Sequence, residues 1–315
     1  MSRWQRAGLP DEVFESLARG LPGSSLQSLL LEVLRARARA RSPVDVLAQY
    51  RRDRFTCPSP VDLRAAIEVD RLLLAATSDF DAIELSPVAP LGVTSTMAPT
   101  DQHRVLSALR GTEVASDPTN VLALECACRM RQAPRDDIHL ATFQRLVRAQ
   151  EVPKLPGFSQ HFRLFALASG GVERRDHAAT VEHLLRHVRA LLRAIKLLEG
   201  AGYRFGARRV EVLAVAAKAA LADRVAGELR DEVAVDRGPL DHPYYSGGLR
   251  YRLWVEARDG AATPLGDGGA FDWLATLLSN RRAVFVASGL GSQLIPLQFR
   301  ARADAGERAL ATEGA

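Results

Sequence analysis

Gly266-Asp267-Gly268-Gly269-Ala270-Phe271-Asp272-Trp273-Leu274, taken with Pro243-Tyr244-Tyr245-Ser246-Gly247 upstream, is the stretch from which the rest of this chain is read. Adjacent glycines let backbone come close to a ligand, and the aromatic-Asp pair that follows reads as a helix start. The plainer interpretation is a tight hairpin followed by a helix cap, with the aromatics filling core. Its position in the order of elements decides between the two.

Outward from that stretch, the 315 residues are 47% hydrophobic and 25% charged, which fits a soluble globular protein of one large or two modest domains. No window approaches ~18 uninterrupted apolar residues, so no membrane span is expected. The start, Met1-Ser2-Arg3-Trp4-Gln5-Arg6, has no apolar run before Asp11 and Glu12, so a secretory signal is not expected and a cytoplasmic location is. Cys57 stands alone. Cys126 and Cys128, on one helix, point to different faces, which suits neither a disulfide nor zinc. The net charge is +5, and only three of the 42 basic residues are lysines, a ratio that suggests coding bias. The basic excess gathers at Arg35, Arg37, Arg39 and Arg41, then Arg51, Arg52 and Arg54. A solvated helix face accounts for it, and electrostatic contact with nucleic acid is the rival.

Residues 1–57 read as a helical N-terminal appendage, ended by Cys57-Pro58-Ser59-Pro60. The main body spans 58–302, with a helical insertion at about 172–235, and 303–315 reads as a flexible tail. Helices are predicted at 61–76, 121–131, 138–148, 176–199, 216–229 and 271–278. Strands are predicted at 80–87, 158–169, 210–215, 249–257 and 283–287, with short ones at 105–109 and 112–115. Gly170-Gly171 reads as a turn into the long helix, and Leu290 as the start of the last one. His183 and His187, four residues apart, read as a solvated helix face, because no third metal ligand is placed by sequence. Long helices with late, hairpin-linked strands, and no strict βαβ alternation, give an α+β class with an antiparallel sheet.

The order of these parts resembles the class II aminoacyl-tRNA synthetase catalytic core, and within it the histidyl branch, over about residues 60–300. Ile83-Glu84-Leu85-Ser86-Pro87 looks like the first, dimer-forming motif, Phe162-Arg163 like the second, and Gly289-Leu290-Gly291 like the third. The resemblance implies an antiparallel sheet flanked by helices, with the N-terminal appendage and the helical insertion added to it. It also implies a ligand site of Glu113, Arg163, Tyr244, Tyr245, Gly268, Gly269 and Asp272. In that family the second-motif arginine contacts the ATP α-phosphate and the substrate carboxylate. Arg163 either does so or is a salt-bridged arginine of the sheet. Glu113 is placed to accept an ammonium, while Asp117 reads as a helix cap.

The sequence departs from the family on the nucleotide side. Where a Glu-Arg pair follows the third Gly-x-Gly, this chain has Gln293-Leu294, and Leu164-Phe165 stand where an acid follows the second-motif arginine. The family's Gly-Gly-Arg-Tyr-Asp reads Gly-Gly-Ala-Phe-Asp, so its arginine is Ala270. Only about fifteen residues follow Arg300, so no anticodon-binding domain is expected there. These features favour a non-synthetase paralogue similar to the regulatory subunits of ATP phosphoribosyltransferase. Such a protein would dimerise, bind an amino-acid-like small molecule and work beside a partner enzyme. The rivals are an amino-acid-activating enzyme with a non-tRNA acceptor, which alone would use ATP and Mg, and a nucleic-acid-binding module on the arginine-rich helices.

Overall fold

The computed structural model describes residues 2–152 and 158–300, so the tail expected after 302 lies outside the described residues. Four helices come first: α1 (Arg3–Arg6), α2 (Asp11–Glu15), α3 (Gly23–Arg39) and α4 (Pro43–Arg52), none with a buried residue. The chain meets the body just after them. His161 Nε2 lies 2.6 Å from the Cys57 carbonyl oxygen, and Ser59 Oγ donates to Gln293 at 3.2 Å. Helix α5 (Leu63–Ala76) is the first to bury a face, through Val69, Leu72, Leu73 and Ala76, and the Asp62 carboxylate caps it by accepting from the Arg64 and Ala65 amides.

The body continues with β1 (Asp81–Ala82), β2 (Val88–Pro90), α6 (Val93–Met97), β3 (Ser107–Ala108), β4 (Thr112–Val114) and α7 (Pro118–Gln132). Then come β5 (Ile138–Val147), β6 (His161–Val172), α8 (Ala178–Gly200), β7 (Arg208–Ala214), α9 (Ala219–Leu229) and β8 (Ala234–Pro239). The last elements are β9 (Leu249–Glu256), β10 (Ala262–Phe271), α10 (Trp273–Leu278), β11 (Ala283–Leu290) and α11 (Leu294–Gln298). Eight strands form one sheet in the order β1-β5-β6-β11-β10-β9-β7-β8, and β2-β4-β3 form a small second sheet. Only the edge pairs β1–β5 and β7–β8 are parallel. The large, mostly antiparallel sheet flanked by helices matches the α+β architecture expected. No helix among the described residues is long and apolar enough to cross a membrane.

Each face of the sheet carries its own core. Phe165 and Leu167 of β6 pack with α5, α8 and α9 on one side. Ala166 and Ala168 pack with α7, α10 and the aromatics Tyr245, Phe271 and Trp273 on the other. That division explains the one element read with the wrong period. Residues 138–147 form a strand paired to β6 along its whole length, not a helix. Leu140 faces α7 and Ala141 faces the α8 side, so apolar residues on both faces of a covered strand mimic helical spacing.

Gly170-Gly171 likewise continues β6 instead of turning the chain. A Cβ on Gly170 would stand 3.0 Å from Leu274 and 3.3 Å from Cys126, so the glycine lets α7 and α10 seat on the strand. Strands β8 and β10 were not foreseen, and 80–87 shrinks to the two residues of β1. The opening Gly-Gly stretch lies inside β10, with a register shift between Pro264 and Gly266 absorbing the proline, so it is neither a hairpin nor a turn.

Candidate functional site

A cavity of about 410 Å³ opens on the α7 face of the sheet. Leu164, Asp267, Ala287 and Gly289 line its sheet side, the start of α7 another wall, and His242, Tyr244 and Tyr245 a third. Strand alternation fixes which residues reach it. Gly289 pairs with Ala166 and with Asp267, so these positions share the α7 face.

Asp117 caps α7, its Oδ1 accepting from the Thr119 amide at 2.9 Å and the Thr119 hydroxyl at 2.7 Å. Its Oδ2 accepts from Tyr244 OH at 2.8 Å and lies 3.7 Å from Arg148. The helix cap expected from sequence is therefore also a cavity carboxylate. Arg148 donates from Nε to the Ser116 carbonyl at 2.9 Å and lies 5.0 Å over the Phe162 ring. Tyr245 donates to Asp267 Oδ1 at 2.6 Å, and Arg250 grips both oxygens of the same carboxylate. Burial, with Asp117 beside one hydroxyl and Asp267 beside the other, pushes both tyrosines upward, so each stays a hydrogen-bond donor. Arg104 stands at the cavity wall, exposed, with no carboxylate partner among the described residues.

Of the residues singled out from sequence, Tyr244, Tyr245 and Gly268 line this cavity, and the other four stand elsewhere. Glu113 is fully buried beneath it, accepting from the Gly92 amide, the Thr94 amide and hydroxyl, and Gln102 Nε2. Burial would raise its pKa, but the hydrogen bonds from Thr94, Gln102 and Gly92 outweigh that and hold it below its ordinary value. Its carboxylate is committed to holding Thr94, which does line the cavity.

Arg163 points to the opposite face of the sheet, where Nε donates to Asp70 Oδ1 at 3.2 Å, Nη2 to Oδ2, and the guanidinium lies 5.3 Å over Phe143. Of the two interpretations left open by the sequence, its geometry is the salt-bridged one. Gly269 lies opposite Ala287 on the same face of the sheet but is covered by Tyr245, because a Cβ there would meet the Leu249 carbonyl at 2.3 Å and the Tyr245 ring at 2.5 Å. Asp272 is exposed at the start of α10 and clasps Ser246, accepting from its hydroxyl while its own amide donates back at 3.0 Å.

Among the cavity residues, Asp117 was read only as a helix cap, and Asn120 and Asp267 were given no role. Arg148, one residue past β5, had no local signal at all, since 138–148 was read as a helix. An adjoining hollow of about 290 Å³ shares Arg148, Gln150, Leu164, Asp267 and Gly289 with the cavity, and Arg163 lines it together with Phe158, Phe162, Leu265 and Leu294.

The histidines correct another expectation. His183 and His187 are fully buried under the sheet instead of solvated. His187 bridges Ser288 Oγ at 2.8 Å and Ser169 Oγ at 2.9 Å, Tyr251 donates to Ser288 at 2.7 Å, and His139 joins Ser169 at 2.8 Å. Among the described residues no group of His, Cys, Asp or Glu is placed to hold a metal. Cys126 is buried and Cys128 exposed, on different faces of α7 as expected.

No family model and no curated protein matches the chain. Solved structures do. An ATP phosphoribosyltransferase regulatory subunit/histidyl-tRNA synthetase from Bacillus halodurans superposes with a TM-score of 0.56 at 13% identity, covering 76% of this chain and 81% of that one. Apo histidyl-tRNA synthetase of S. aureus gives a TM-score of 0.52 at 14% identity, over 74% of this chain and 64% of that one. A putative threonyl-tRNA synthetase from Aeropyrum pernix gives 0.57 at 10% identity, over 74% and 59%. The chain thus spans under two thirds of the length of both synthetases. The chain has the class II aminoacyl-tRNA synthetase-like fold.

Proposed function

We propose that the chain is a non-synthetase paralogue of the histidyl-tRNA synthetase core, acting as a regulatory or ligand-sensing subunit that binds an amino-acid-like molecule in the 410 Å³ cavity. One observation carries this reading: Asp117 and Arg148 stand 3.7 Å apart on the cavity wall, each oriented by other partners. A carboxylate held by Thr119 and Tyr244 suits an ammonium, and Arg148 with Arg104 nearby suits a carboxylate. The zwitterionic end of an amino acid presents both.

The neighbouring hollow supports binding without activation. Of the two arginines that line it, Arg163 is engaged by Asp70, which leaves Arg148 among aromatic and aliphatic walls to offset the charge of phosphates. Leu294 packs into the core at the position where the family carries a cation. A cytoplasmic homodimer working beside a partner enzyme is part of the same proposal, and the regulatory-subunit neighbour supports the partner enzyme.

The test is thermal unfolding of the full chain with each amino acid in turn. A cavity ligand at 100 times its Kd stabilises by about 2.7 kcal/mol. A shift with at least one amino acid, lost in Asp117→Asn and Arg148→Met, is expected. No shift with any of them would overturn the proposal.

A further inference from the structure

Asn120 lies in the first turn of α7, lines the cavity, and is 0% exposed. Neither its amide nitrogen nor its carbonyl oxygen has a hydrogen-bond partner among the described residues. The two carboxylates of the cavity are already engaged, Asp117 by Thr119 and Tyr244, Asp267 by Arg250 and Tyr245. Native structures pair nearly all such buried groups, and an asparagine left with both ends idle is strongly disfavoured against a leucine of similar volume. The residue is therefore placed for something that enters the cavity.

We infer that Asn120 is the specificity-determining residue of this cavity, and that its ligand presents a primary carboxamide, or an equivalent planar edge with donor and acceptor side by side. The chemistry follows from the amide itself. Asparagine offers a donor and an acceptor in one plane, and a second carboxamide returns the complementary pair through two parallel hydrogen bonds. A carboxylate has no donor for the Asn120 carbonyl, and an aliphatic group leaves both atoms unpaired. An imidazole carries its N–H and its bare nitrogen on separate edges and engages one Asn120 atom at a time. This inference rests on the amino-acid reading above, with the zwitterion at Asp117 and Arg148 and the side chain reaching Asn120.

The test is calorimetric titration of the full chain with L-glutamine, L-asparagine, L-glutamate, L-histidine and L-leucine, repeated on Asn120→Leu after its fold is checked by circular dichroism. Two hydrogen bonds made or lost correspond to roughly a 10- to 100-fold preference for a carboxamide amino acid over glutamate and leucine. That preference, flattened in Asn120→Leu, is the expected result. Binding of all five within about threefold, or a preference unchanged in Asn120→Leu, overturns the role of Asn120 and leaves the amino-acid cavity standing. Absence of binding by any of the five and by the remaining amino acids removes both proposals. If Asn120→Leu does not fold, Asn120→Asp, of the same size but without the amide donor, takes its place, and a carboxamide preference unchanged there overturns the role of Asn120.

Discussion

Replacing Gly269 by alanine is the sharpest probe of how β10 supports the cavity. The new Cβ would stand 2.3 Å from the Leu249 carbonyl oxygen and 2.5 Å from Tyr245 Cδ1, well inside the 3.4 Å at which ordinary contact begins. Neither neighbour gives way easily. Leu249 is backbone at the head of β9, paired on its other side with Ala214, and Tyr245 is held by its 2.6 Å hydrogen bond to Asp267 and by Arg250, 4.8 Å over its ring. Overpacking of this kind costs about 1–3 kcal/mol, and a backbone atom among the clashes puts Gly269→Ala toward the upper end. In a domain of this size each kcal/mol lowers Tm by about 2–4 °C. Gly200→Ala supplies the contrast, because nothing lies within 4 Å of its Cβ and it closes helix α8. There the expected change is stabilising, by about 0.4–1 kcal/mol. Urea titrations followed by far-UV circular dichroism measure both. A Gly269→Ala variant within about 0.5 kcal/mol of wild type, the scatter of ordinary surface changes, would refute the close-approach explanation.

The other expectations concern the back of the sheet. Asp70→Ala strips the partner from the half-buried Arg163 and is expected to cost about 1–3 kcal/mol, with amino-acid affinity unchanged; loss of affinity without loss of stability would return Arg163 to the ligand site. Burial, reinforced by the Arg186 and His183 charges, pushes His139 down to about 4 from its ordinary 6.5, and burial also lowers His187 and His183. Between about pH 6.5 and 4 the unfolded chain therefore binds more protons than the folded one, so stability falls as pH falls through that window. Urea midpoints that are equal at pH 7.5 and pH 5 would contradict this.

The helices that position the site were readable because only one face of each is buried: α5 and α8 show the 3.6-residue stripe directly. Strand β5 hid itself, since covered faces on both sides remove the alternation that marks a strand. Strand β10 was concealed by Gly and Pro, which propensity assigns to turns. Here Gly268 and Gly269 are needed because Ser288, Tyr251, Leu249 and Tyr245 crowd the central strand. Assigning Arg163 to the cavity failed by a single residue, because in a strand Leu164 faces one side and Arg163 the other. His183 and His187 were read as solvated because histidine counts as polar, whereas Ser169 and Ser288 sit on neighbouring strands and make burial of His187 tolerable. Tyr244 and Tyr245 were legible as wall residues, but Asn120 and Arg148 became visible only once α7 and β5 were brought to the same cavity.

The central claim is that a class II synthetase-like fold here keeps an amino-acid cavity without the means to activate its occupant. Amino-acid-dependent exchange of pyrophosphate into ATP, measured with every amino acid that shifts the unfolding temperature, tests it most directly. Exchange at the level of the protein-free control is expected alongside clear binding. Exchange above that control, abolished by Arg148→Met, would show that the chain still adenylates its ligand and would contradict the claim.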